Sequence, residues 1–175
     1  MSAQMSAETS AASSAMAGLR LADGDAIRAM VRSHTLFGVL PGAEQQAIES
    51  LAEVREYAKS DMIVDQNTAI DGMYYLCSGQ VRLKQTANGK RVSLGLMEAD
   101  SSFGEIALLK PAQWQFQVFA VTPVRAVWVP ADKLRALVGA DASMRDAFTK
   151  QIGLIELGHR VRGMLGSGSY SAAEL

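Results

Sequence analysis

"GMYYLCSGQVRLKQTANGKRVSLGLMEADSSFGEIALL", Gly72 to Leu109, is broken by Gly, Asn or Asp at short intervals, and the runs between the breaks are rich in Val, Leu and Tyr. Val81, Leu83 and Gln85 alternate with Arg82 and Lys84, the period of a strand with one face inward. Asn88-Gly89 separates two such runs, and this pair favours the backbone twist of a tight hairpin. Downstream, "WQFQVFAV" (residues 114–121) and "VRAVWVP" (residues 124–130) read as two more strands, with a turn at Thr122-Pro123. Short strands at this spacing predict a closed or sandwiched antiparallel β-roll, jelly-roll-like in architecture.

On both sides the period becomes helical. Ala26, Ile27, Met30 and Val31 predict a helix that Asp23 or Asp25 caps. Ala47, Ile48, Leu51 and Val54 predict a second helix within "LPGAEQQAIESLAEVREY" (residues 40–57), separated from the first by Pro41-Gly42. After the strands come a short helix near Ala131 to Val138 and a long one near Ala142 to Leu165. The long helix carries two apolar stripes, Met144/Phe148/Ile152/Ile155 and Leu154/Leu157/Val161/Met164. One stripe suits its own domain and the other a partner. Helices segregated from an antiparallel β unit make the class α+β. The expected organisation is an Ala/Ser-rich disordered leader (1–22), a sensor domain (23–140), a helix through which two copies pair (141–165) and a Gly/Ser tail (166–175).

Composition narrows the function classes. The chain has 175 residues, 49% hydrophobic and 20% charged, with a formal net charge of -1. That is one ordinary globular domain without the basic stripe of a nucleic-acid surface, so direct DNA binding by this chain is not expected. The single cysteine, Cys77, excludes an intrachain disulfide and a cysteine metal cluster, and fits a cytoplasmic setting. No apolar run approaches the roughly 18 residues of a membrane span. No catalytic constellation appears: there is no Ser/His/Asp or Cys/His pattern, no Gly-rich nucleotide loop and no metal-ligand spacing.

At "FGEIALL" (residues 103–109) the sequence resembles the phosphate-binding cassette of cyclic-nucleotide-binding domains, especially those of the bacterial Crp/Fnr regulators. The likeness extends to "VRSHTLFGVLP" as an entry helix, to Gly72–Leu109 as central strands, hairpin and cassette, to "VRAVWVPADKLRALV" as last strand and short helix, and to the long helix as a dimerisation helix. The resemblance implies a noncatalytic ligand sensor. Gly104 lets backbone approach a ligand, a short helix opening at Glu105, Ile106 and Ala107 offers amides to an anion, and Glu105 accepts hydrogen bonds from a ribose hydroxyl. The implied ligand is cAMP, cGMP or another nucleotide, or a small anionic effector. The implied partner is a second copy, paired through residues 142–165. Full-length relatives continue into a helix-turn-helix module, whereas here "GSGSYSAAEL" follows the long helix.

The cassette departs from the family in one respect. Relatives place an arginine some nine or ten residues after the glutamate, to pair with the cyclic phosphate. Alignment on "VFAVT" puts Trp114 there, and a longer loop puts Gln115 there; neither is cationic. A charge-assisted phosphate contact contributes roughly 1.5–3 kcal/mol, so its loss weakens a cyclic monophosphate about tenfold to a hundredfold. Phe116 adjoins as a crowding residue, Lys110 and Arg125 are the nearest substitute cations, and Trp114 either fills the pocket or stacks on an aromatic ligand. A degenerate domain, acting only as a dimerisation scaffold, is the alternative. Cys77 and His34 read as structural residues, and His159 as a seam or surface residue of the long helix.

Overall fold

A computed structural model describes the backbone of residues 22–170 and the side chains of residues 22–155 and Leu157. Residues 1–21 of the expected leader, residues 171–175 of the expected tail and the side chains of His159, Val161 and Met164 lie outside the described residues.

Two helices open the domain. α1 (Asp23–Ser33) buries Ala26, Met30 and Val31, one face of a helical turn pattern. The expected acidic cap is not made, because no side chain caps this helix. Asp23 instead accepts a 2.6 Å hydrogen bond from Nη2 of Arg125, and Asp25 sits 3.7 Å from Arg28 at the surface. α2 (Gly42–Leu51) starts directly after Pro41 and buries Ile48. The Gln45 side-chain amide lies 3.1–3.3 Å from the carbonyls of Phe37, Gly38 and Leu40, and so closes the turn between the helices. The second helix is shorter than the sequence predicts. Glu53–Tyr57 is strand β1, in register with Val124–Trp128, so strand pairing overrides the helical spacing of Val54.

The strands form two four-stranded antiparallel sheets. β1, β3 (Gly72–Ser78), β6 (Ser102–Phe103) and β8 (Val124–Pro130) make one, in the order β1-β8-β3-β6. β2 (Met62–Val64), β4 (Val81–Ala87), β5 (Lys90–Met97) and β7 (Gln117–Ala120) make the other, in the order β2-β7-β4-β5. The β4–β5 hairpin turns at Asn88 and Gly89 with φ of 52° and 74°, the two positive angles of a type I′ turn. The strand expected over residues 114–121 is confined to Gln117–Ala120. Trp114 leaves the strand because its amide and carbonyl bond the 67–68 loop, donating to Thr68 at 2.9 Å and accepting from Asn67 at 2.8 Å.

β3 is buried on both faces, and its alternation divides the core. Tyr74 and Leu76 point into the roll with Val81, Phe103, Trp114, Val118 and Ala126. Met73 and Tyr75 point to the other face, where Met30, Phe37, Ile48, Leu134 and Phe148 cover the sheet. α3 (Ala131–Gly139) and α4 (Ala142–Tyr170) complete that cover. On α4 the first predicted stripe packs inward, with Met144, Phe148 and Ile152 buried. From the second stripe, Leu154 and Leu157 are 56% and 57% exposed. The helical backbone continues to Tyr170, past Leu165, where the sequence places the end of the helix. Among the described residues, no helix is long and apolar enough to cross a membrane.

Candidate functional site

The cassette is built at the edge strand of the helix-covered sheet. Tyr74 pairs with Phe103 and Tyr75 with Ser102, so Phe103 shares the roll face with Tyr74, and Ser102 shares the helix face with Tyr75. Gly104 then turns the chain with φ +94°. A Cβ there would lie 2.8 Å from the Gly72 carbonyl oxygen and 2.8 Å from Cη2 of Trp114, so both the angle and the space require glycine. A 3-10 helix (Glu105–Leu108) opens immediately after it. The short helix expected from the sequence is therefore present, but the Ala107 amide is used inside it, donating to the Gly104 carbonyl at 3.2 Å. Ala107 and Leu108 are buried, and Ile106 is half-buried between the two cores. Arg135 of α3 donates from Nε to the Ala107 carbonyl at 3.0 Å, which clamps the end of the cassette.

Trp114, one of the two residues that the resemblance sets against the arginine position, is 2% exposed. Its ring centroid is 5.8 Å from that of Phe103, 6.2 Å from Tyr74 and 5.9 Å from Phe116, while Tyr74 and Phe103 stack at 5.2 Å. Four aromatic rings thus line the roll beside Gly104. Gln115 is exposed; its carbonyl accepts from Gln85 at 3.1 Å and its own amide donates to the Gln113 carbonyl at 3.2 Å. Of the two substitute cations, Lys110 is exposed on the turn after the cassette. Arg125 lies on the other face of its sheet, bonded to Asp23 and 3.7 Å from Glu56, so it does not reach the place of the missing arginine.

Glu105 is 4% exposed. Oε1 accepts a short hydrogen bond from the Ser102 hydroxyl. Ser102 Oγ lies 3.0 Å from Nε2 of His34, and Nδ1 of His34 accepts from the Leu36 amide at 3.2 Å. Donor counting assigns the protons. Nδ1 is an acceptor and the one hydroxyl proton of Ser102 goes to Glu105, so Nε2 carries the imidazole proton and donates to Ser102. Burial lowers the His34 pKa to about 4, which keeps the ring neutral near pH 7. Beside this chain of bonds, Tyr75 donates to Asp100 at 2.8 Å, and burial followed by that bond raises the tyrosine pKa.

The structure therefore brings Gly104, Glu105, Ile106, Ala107 and Trp114 together and leaves Gln115 at the rim. It adds Ser102 and Arg135, which the sequence reading did not include, and His34, which that reading took as a structural residue. Ser102 and Glu105 have S-x-x-E spacing, but no capping box forms: Gly104 is the N-cap of the turn and the two side chains bond each other. Cys77 packs half-buried against the helix-side core, where burial raises its pKa. It lines a cavity of about 770 Å³ between α1 and the sheet, and a second cavity of about 460 Å³ opens beside His34.

Residues 54–141 match the model of the cyclic nucleotide-binding domain. A CRP-like cAMP-activated global transcriptional regulator of Mycobacterium tuberculosis is 26% identical over 105 residues, covering 58% of this chain and 47% of the regulator. A cAMP-dependent protein kinase regulatory subunit of Mycosarcoma maydis is 29% identical over 77 residues, covering 44% of this chain and 15% of that subunit. The chain spans less than half the length of the curated relatives it matches. Among solved structures, the regulatory domain of Toxoplasma gondii PKA with cAMP superposes with a TM-score of 0.60 at 19% identity, covering 80% of this chain and 56% of that one. The chain belongs to the cyclic nucleotide-binding domain family, whose members here are regulatory rather than catalytic.

Proposed function

We propose that this chain is the ligand-sensing domain of a Crp/Fnr-type transcriptional regulator. It binds a cyclic nucleotide or another small anionic effector at Gly104, Glu105, Ile106, Ala107, Trp114 and Gln115, and signals through α4, on which two copies pair. The observation that carries this reading is the cassette backbone: a left-handed Gly104 leading into a helical turn at Glu105, within a matched family domain. The two relatives reported above are named for cAMP, which makes it the first effector to test. The lost cation predicts weak binding, since backbone amides and Glu105 remain but no guanidinium meets the phosphate. A soluble location in the cytoplasm belongs to the same reading.

One observation favours the alternative of a non-binding dimerisation scaffold: the Trp114 ring is packed against Gly104 with three aromatic neighbours. Thermal denaturation with cAMP, cGMP and AMP separates the two. A ligand of the native state raises the melting temperature in proportion to the logarithm of its concentration above Kd. The sensor reading expects a rise with millimolar cyclic nucleotide and a smaller one with AMP. A flat response to all three supports the scaffold.

A further inference from the structure

Asn88 and Gly89 form the two-residue turn of the β4–β5 hairpin, outside the ladder that Ala87 and Lys90 close. Both are exposed, and a Cβ at Gly89 would meet nothing within 4 Å. An asparagine carries an electrophilic carbon, Cγ, within reach of the amide nitrogen of the following residue. Reaction between them needs room around that nitrogen and freedom in the backbone, and a following glycine supplies both. The chain holds one other asparagine, Asn67, in a different setting. The Asn67 amide donates to the Trp114 carbonyl at 2.8 Å. The next residue, Thr68, is β-branched, and its carbonyl accepts the Trp114 amide at 2.9 Å. The Asn67 loop is pinned where the hairpin turn is open.

We propose that Asn88 is a site of spontaneous deamidation, whose isoaspartyl product loosens the hairpin from the loop that holds Trp114. The Gly89 nitrogen bonds to Cγ of Asn88, its proton passing through water to the side-chain amino group, which leaves as ammonia. Water then opens the cyclic imide, at Cγ to give aspartate or at the main-chain carbonyl to give isoaspartate; nothing is oxidised or reduced. Isoaspartate routes the main chain through the side-chain carbon, so the turn gains a methylene and loses the paired dihedrals of its type I′ form. Aspartate keeps the main chain. Either product sets a carboxylate beside Lys90 and Arg91. The change has a path inward. Thr86 donates its amide to Oε1 of Gln66 at 2.8 Å, and its carbonyl accepts from Nε2 of Gln66 at 3.1 Å. Gln85 donates to the Gln115 carbonyl at 3.1 Å. Gln66 adjoins the Asn67 amide that holds Trp114, so these bonds tie the hairpin to the segment around the indole. A turn that changes its path strains them.

Two measurements test this, and neither needs a ligand. The full chain is aged in mildly alkaline buffer and cleaved after Lys and Arg, and the peptides are resolved by chromatography and mass spectrometry. Peptide 85–90, which carries Asn88, is expected to split into aspartyl and isoaspartyl forms about tenfold or more faster than the Asn67 peptide does. Equal rates, or an intact 85–90 peptide, overturn the site. Amide hydrogen exchange then compares the purified isoaspartyl protein with fresh protein. Exchange across residues 113–116 is expected to be several-fold faster in the isoaspartyl form. Freshly prepared Asn88→Asp, which has the new charge on the old main chain, is expected to match the fresh protein. Exchange that ageing leaves unchanged overturns the loosening, and an equal rise in Asn88→Asp assigns it to charge and overturns the role of isoaspartate. Asn88→Gln, aged in parallel, is expected to keep the fresh rate; a rise there places the effect of ageing elsewhere and overturns the proposal.

Discussion

An imidazole buried as a neutral acceptor and donor has no good place for a second proton. His34 already accepts the Leu36 amide at Nδ1, so protonation there would set two donors against each other. The burial that lowers its pKa to about 4 makes the consequence measurable. The native value lies below the unfolded value of about 6.5, so the unfolded chain takes up the proton first as pH falls. The contribution of His34 is therefore intact above pH 6.5 and is lost progressively toward pH 4, by roughly 3 kcal/mol if the whole shift is realised. Urea denaturation from pH 7.5 to 4.5 checks this, with His34→Gln as the comparison. The wild type is expected to lose stability faster with falling pH than the variant; parallel curves would show that His34 does not titrate as its burial implies. The residue was visible in the sequence, but its partner was not. Ser102 lies 68 positions away, and only the pairing of β6 with β3 brings it beneath the ring.

Elements were more legible than residues wherever a local pattern matched a tertiary demand. The Asn88-Gly89 hairpin, the α1 stripe and the inward stripe of α4 follow from spacing alone, because each is fixed by neighbours in sequence. β1 was not legible: Glu53–Tyr57 continues the helical spacing of α2, and only pairing with β8 makes it a strand. Likewise, Trp114 reads as strand until the 67–68 loop takes both of its backbone groups. The outer stripe of α4 leads to a prediction at this scale. Leu154 and Leu157 are more than half exposed, adjacent on one face, and backed by a stripe that already satisfies the domain core. The exposed leucines Leu94 and Leu96 of β5 are further uncovered apolar surface. Pairing of two α4 helices would bury such side chains at about 25 cal/mol per Å² of apolar area. Leu154→Glu with Leu157→Glu is expected to convert a dimer to a monomer by light scattering while helix content by circular dichroism changes little, since neither side chain serves the core. A dimer that survives both charges would remove α4 as the pairing element.

At the scale of the whole molecule the question is what the aromatic filling of the roll has done to a binding fold. The neutral ring of Trp114 contributes packing with Phe103, Tyr74 and Phe116, and alignment on the downstream strand would set the family's phosphate-facing arginine at this residue. Stability and affinity are then opposed at one site. Trp114→Arg removes a large buried ring, at a cost of about 3–5 kcal/mol of the kind seen for aromatic truncation, and leaves a guanidinium that only an anion can satisfy. The unliganded variant is therefore expected to melt well below the wild type. Cyclic AMP should return part of that loss, because a native-state ligand adds RT ln(1 + [L]/Kd) to stability and the new charge-assisted contact lowers Kd about tenfold or more. Melting temperature against cAMP concentration for both proteins gives the answer: a steeper and earlier rise in the variant means the fold still holds a cassette that lacks only its counter-charge. Loss of stability with no response to cAMP means that the surrounding rings, Phe116 above all, have closed the roll, and the scaffold reading then describes the molecule.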